Sequence, residues 1–219
     1  MNGLLGPGAL YLFAIRALVT LIVIPFHESA HALVSWLLGD PTAKNAGRLS
    51  LNPLRHFDPV GTVCMLLGGV GWARPVGIQP YRFRNPKVGM AVSAAAGPMS
   101  NLLLAYICMI LYKAAVYATN GAAAGVVLDF LWLMISMNTS LAVFNLLPVP
   151  PFDGSRIFLL FLPQRTYFRA MRYERVIMAV VLLLVLTGLL DRPLSFCVNA
   201  VWQGLDTGTL FVDALFRGL

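Results

Sequence analysis

Three ionisable residues fall within five positions of an otherwise apolar run: His27, Glu28 and His31, in Ile24-Pro25-Phe26-His27-Glu28-Ser29-Ala30-His31. An ionisable group at the centre of a lipid-embedded helix costs roughly 2.5–3.5 kcal/mol on insertion scales, so three together call for a function. On a helix, positions i and i+4 share a face, and both imidazoles can reach one ion. Zinc suits two nitrogen ligands at about 2.0–2.1 Å. Glu28 follows His27 by one residue, about 100° around the helix. That sets it beside the metal, where it can take a proton from bound water. The competing reading is a buried His–Glu hydrogen-bonded cluster that joins helices.

A catalytic zinc needs a third protein ligand and an open position. The only other histidine is His56, and the only other glutamate is Glu174, within the basic run Arg172-Tyr173-Glu174-Arg175. His56 could guard a water path or bond Asp58. Of the aspartates, Asp40 and Asp58 precede prolines and suggest turns. Asp129 and Asp191 fall near the outer face, Asp206 and Asp213 near the C-terminus. Asp153 ends Asn145-Leu146-Leu147-Pro148-Val149-Pro150-Pro151-Phe152-Asp153-Gly154, where prolines break the helix and Gly154 permits an unusual backbone turn. Irregular backbone at membrane depth is tolerated where it lines a cavity. Alone, Asp153 reads as a helix-end turn residue; the shortage of other carboxylates makes it the third ligand.

The elements that position these groups are apolar. Hydrophobic residues make up 58% of the 219 and charged residues 11%, against about 25% charged in soluble domains. Mean hydropathy is +0.77. A disordered chain, a coiled coil and an ordinary cytosolic enzyme are excluded. The net charge of +7 does not indicate nucleic acid, since no basic-aromatic stripe marks a soluble module. Cys64, Cys108 and Cys197 form neither a disulfide framework nor a zinc ribbon. They read as small buried hydrophobes.

Apolar segments run over 9–38, 59–73, 88–118, 122–150, 174–190 and 194–216. A span takes about 20 residues, which the first, third and fourth supply. Segment 59–73 carries Gly61, Gly68, Gly69 and Gly71 and reads as re-entrant or interfacial. Segment 174–190 is short and needs its flanking arginines to snorkel. Segment 194–216 fits a surface helix as well as a span. The expected fold is an all-α polytopic membrane protein with five to six transmembrane helices and a short re-entrant or extended element after the first motif helix. It forms one domain over 1–219, with core motifs in 10–160 and C-terminal helices in 174–216. The N-terminus is expected to be retained, because the first basic residue, Arg16, already lies inside the apolar run. Seven Lys and Arg lie in 40–88 and five in 151–175, with none in 119–125. Both rich regions should face the cytoplasm. Helices 88–118 and 122–150 then run out and back, with the N-terminus outside.

His27–His31 and Asn145–Gly154 resemble the H-E-x-x-H and N-x-x-P-x-P-x-x-D-G motifs of the site-2 protease family of intramembrane zinc metalloproteases, peptidase family M50. Ala96-Gly97-Pro98-Met99-Ser100-Asn101 is similar to a third family pattern, G-P-x-x-N. The resemblance covers residues 10–160 and implies one Zn²⁺ per chain on His27, His31 and Asp153, with Glu28 as general base. It also implies a site a few ångströms below the cytoplasmic face of a bacterial cell membrane, in agreement with the charge distribution. The expected substrates are membrane-spanning or signal-peptide-like proteins. Many members carry a PDZ module or a CBS pair; this chain resembles the short form without them. Asn145 and Asn101 are candidates for substrate or oxyanion contact; Asn145 reads equally as a packing amide, and for Asn101 the packing role is favoured, since Gly97 and Pro98 suggest close helix packing that the amide locks. The stretch 72–80 reads as extended, either an edge for unwound substrate or a plain connector. A membrane metal-ion transporter and a catalytically inactive scaffold are the competing functions.

Overall fold

The computed structural model describes residues 7–59, 61, 74–119, 125–161 and 173–217. Three long helices dominate: α1 (Pro7–Leu37), a short α2 (Thr42–Asn45), then α3 (Pro86–Ala118) and α4 (Gly125–Asn145). At 1.5 Å per residue the long ones measure about 46, 50 and 32 Å, enough to cross about 30 Å of hydrocarbon. All three are apolar enough to span. Asn85 starts α3 by accepting the Val88 N–H on its side chain, with Pro86 as the first helical residue.

The three helices pack around Ile15, Val19 and Val23 of α1, Cys108 and Met109 of α3, and Leu131, Met134 and Ile135 of α4. Cys108 is thus a small core residue, as its surroundings in the sequence imply, whereas Cys197 is exposed, against the buried reading, and Cys64 lies outside the described residues. The opposite faces are apolar too: Met99, Leu103, Ile107 and Leu111 form an exposed stripe along α3. A helix that is hydrophobic all round belongs in lipid.

Beyond Asn145 the chain turns back. Phe152 packs edge-on against Phe144, with ring centroids 4.5 Å apart, and short α5 (Asp153–Leu159) lies against α3. Helix α6 (Glu174–Leu186) reaches only about 20 Å by the same rise. It bends by 86° into α7 (Asp191–Gly208), followed by α8 (Leu210–Arg217). The bend falls where Gly188 adopts φ +72° and Asp191, Arg192 and Pro193 interrupt the apolar run. Among the described residues three helices span on their own, and the bent pair adds at most a fourth. The described residues are therefore all-helical and multi-pass, with three to four candidate crossings among them where five to six are expected for the chain. The re-entrant reading of 59–73 falls almost wholly outside the described residues, as do 120–124 and the basic positions 165, 169 and 172.

Asp40, where α1 ends, is fully buried. Its carboxylate accepts the Thr42 N–H (3.0 Å), the Thr42 hydroxyl and, at 2.6 Å, the N–H of Gln79; Arg82 stands 3.8 Å away. Burial opposes its charge, but these donors and Arg82 outweigh burial and hold the carboxyl below its usual range. The expected turn aspartate thus also fastens a segment 39 residues downstream. Residues 74–79 form neither helix nor strand. The Arg74 N–H donates to the His56 carbonyl (2.8 Å), so the segment is held near both ends.

At the far end of the bundle, Lys113 of α3 meets Asp206 (2.8 Å) and Asp213 (2.7 Å). Tyr117 donates to Asp213 at 2.8 Å, and Tyr11 donates to Asp129 at 2.7 Å. The first two contacts tie the C-terminal helices to α3.

Candidate metal centre

The C-terminal half of α1, the N-terminal half of α3 and the turn after α4 meet at one end of the bundle. His27 and His31 lie one turn apart on α1, each about 6% exposed. Their rings stand nearly perpendicular, at 86°, with Nε2 atoms 3.1 Å apart. Asp153 Oδ2 lies 3.4 Å from His27 Nε2 and 3.2 Å from His31 Nε2. Among the described residues this is the one group of three or more His, Cys, Asp or Glu side chains arranged to hold a metal.

Gly154 has a different task from the one its sequence suggests. It is helical, and the glycines with positive φ are Gly39, Gly47 and Gly188. A Cβ at Gly154 would lie under 3.0 Å from the backbone of Leu146 and Leu147. The glycine is needed for close approach: α5 seats directly on the end of α4, which carries Asp153 to the histidines.

Helix α3 supplies the facing wall. His31 Nδ1 sits 2.7 Å from the carbonyl of Ser93. A carbonyl only accepts, so Nδ1 carries a proton, and in the neutral ring Nε2 presents a bare lone pair. One turn along, a Cβ at Gly97 would lie under 3.0 Å from atoms of both imidazoles. One turn further, the Asn101 amide lies 3.1 Å from His27 Nδ1 and is fully buried. Ser93, Gly97 and Asn101 follow i, i+4, i+8 and so share one face. Gly97 could be read in the sequence as a close-packing glycine; the Ser93 carbonyl has no side-chain signal at all.

The donor set fits zinc. Two imidazole nitrogens and one carboxylate oxygen form a three-ligand set of the kind that leaves one position open. Lone pairs this close repel unless a proton or cation lies among them. His31 has its proton committed elsewhere.

The remaining candidates sit apart. Asn145 donates its amide to Leu141 O of its own helix at 3.0 Å. His56 is fully buried with Nε2 2.6 Å from Ser50 O. The same carbonyl accepts the Ser29 hydroxyl at 2.6 Å, which joins the 50–56 loop to the motif helix. Glu28 is half-buried and has no hydrogen-bond partner among the described residues.

Comparison with known proteins agrees with this geometry. The description of peptidase family M50 matches residues 112–188, which include the Asn145–Gly154 stretch. The chain is 38% identical over 205 residues to "Putative zinc metalloprotease YwhC" of Bacillus subtilis, covering 92% of each. It is 30% identical over 139 residues to "Putative zinc metalloprotease Rip2" of Mycolicibacterium smegmatis, covering 58% of this chain and 49% of that protein. Rip2 of Mycobacterium tuberculosis is 29% identical over 139 residues, 61% of this chain and 52% of that one. No solved structure matches. With three ligand atoms gathered at one point and a relative 38% identical over 92% of the chain named a putative zinc metalloprotease, the chain belongs to peptidase family M50, the membrane-embedded zinc metalloproteases of the site-2 protease type.

Proposed function

We propose that this chain cleaves peptide bonds of membrane-spanning or signal-peptide-like proteins within or near the membrane, using one zinc ion held by His27, His31 and Asp153. The observation that carries the reading is the convergence of those three side chains, with all ligand atoms within 4.8 Å of one another. Zinc, when bound, polarises the scissile carbonyl and lowers the pKa of water toward 7. Glu28 accepts the proton of the attacking water and passes it to the leaving amine. Ser93 keeps His31 in the tautomer that offers Nε2.

The site opens toward the cytoplasm in this reading. The ends of α1 and α4 and the start of α3 that build it adjoin the basic stretches 40–88 and 151–175. Substrate must arrive extended, because a helix hides its carbonyls in internal bonds. Residues 74–79, tied down at Arg74 and Gln79 and irregular between, offer backbone groups for pairing with it.

The test is Glu28→Gln in detergent-purified protein. The variant should retain zinc and lose cleavage of a single-span substrate. Wild-type cleavage should stop with chelator and return with zinc. Zinc-dependent flux without hydrolysis would indicate a transporter, and intact zinc binding with no hydrolysis by wild type a scaffold. Either result removes the proposal.

A further inference from the structure

The carboxamide of Asn101 lies with Nδ2 3.1 Å from His27 Nδ1, while its Oδ1 is buried with no hydrogen-bond partner among the described residues. In that orientation His27 Nδ1 accepts, so a neutral ring carries its proton on Nε2. That proton would stand among His31 Nε2 and Asp153 Oδ2, 3.1 and 3.4 Å away, in the place where a metal needs a lone pair. The two ends of an amide are alike in shape, and their assignment rests on the surrounding hydrogen bonds. Turning the amide by 180° brings the oxygen that lacks a donor onto His27 Nδ1, which then donates to it. Nε2 becomes bare.

We infer that Asn101 is a positioning residue that accepts the His27 Nδ1 proton through its Oδ1 and so holds Nε2 ready for the metal. The pattern matches the neighbouring ligand. His31 Nδ1 is anchored by the Ser93 carbonyl at 2.7 Å, a group that cannot be reversed. Helix α3 thus orients both imidazoles from one face, two turns apart, with Gly97 leaving room between. Outer hydrogen bonds of this kind fix ring tautomer and raise ligand basicity. The Asn101 oxygen is therefore committed to His27. The inference rests on the zinc-site reading above.

The experiment measures zinc affinity by chelator competition in wild type, Asn101→Leu and Asn101→Asp. It is paired with nitrogen NMR of zinc-loaded protein labelled at its three histidines. In wild type, His27 should show a protonated Nδ1 and a coordinated Nε2. Asn101→Leu should bind zinc about 10–100-fold more weakly. Asn101→Asp keeps an acceptor of the same shape and should bind no more weakly than wild type. Helical circular dichroism without zinc identifies a variant that fails to fold. Three results overturn the inference: wild-type His27 with an unprotonated Nδ1, wild-type affinity in Asn101→Leu, or equal losses in folded Asn101→Leu and Asn101→Asp. A wild-type chain without zinc affinity overturns the site reading itself, and the wild-type sample alone reveals it.

Discussion

Two clusters of ionisable groups lie at opposite ends of the same apolar bundle, and they differ in balance. At the far end Lys113 stands between Asp206 and Asp213, and Tyr117 donates to Asp213. Cation and donors are already present, so the cluster is complete in itself and fastens α7 and α8 to α3. At the near end His27, His31 and Asp153 bring only lone pairs to a common point. No Lys or Arg pairs with them among the described residues. The near cluster is the candidate metal site, whereas the far cluster, which contains its own cation, serves as a brace.

The comparison breaks most sharply if the near cluster is altered. Asp153→Ala should reduce bound zinc to near zero and abolish peptide cleavage, checked by metal analysis beside His27→Ala. Equal zinc in Asp153→Ala and wild type would remove the third ligand. Gly97→Ala comes next. Its methyl group would occupy space taken by both imidazoles, so zinc binding should fall at least tenfold in a chain that retains its helical content. Glycine-to-alanine in a helix otherwise favours folding by about 1 kcal/mol, which gives the measurement an unusual sign: helix propensity up, metal affinity down.

Lys113→Met tests the other end. It leaves two aspartates facing each other and should destabilise the protein by about 1–3 kcal/mol by desolvation and repulsion, read as a lower melting temperature. Zinc stoichiometry should not change, since the brace lies at the opposite end. Loss of zinc in this variant would show that the two ends are coupled.

The smallest effect concerns Asp40. Its carboxyl is held below the usual aspartate value of 3.8 by the Gln79 and Thr42 donors and Arg82, so its contribution to stability is complete above that pH. It is lost as pH falls below 3.8 toward the folded-state value, because the unfolded chain takes up the proton first. Asp40→Asn should lower the melting temperature at neutral pH and flatten the acid side of the stability profile. An unchanged acid profile would show that the Gln79 and Thr42 donors do not depend on its charge.

Much of the near cluster was legible in the residues. His27 and His31 pair through helix periodicity, a local property that no packing alters. Asp153 followed from the scarcity of other acidic groups. The spans 88–118 and 9–38 match α3 and α1 within two residues, because long apolar runs admit one structure in lipid. The second half of the chain was harder to read. The break at Gly188–Pro193 and the amphipathic run after it look, residue by residue, like a poor span, and only the 86° bend separates α6 from α7.

The amino-acid order alone thus determined which side chains share a face and which long apolar segments are the first spans, since both depend on neighbours a few positions apart. Tertiary structure decided what meets across helices. The Ser93 carbonyl on His31, the Asn101 amide on His27 and the room left by Gly97 arise from how α3 lies against α1. A backbone carbonyl has the same chemistry at every residue, and a missing Cβ matters only where a neighbour fills the gap. Gly154 makes the same point, since its role became plain only with Leu146 and Leu147 pressed against it. Contacts of this kind carry no periodic trace along the chain, because they are set by the approach of helices far apart in sequence.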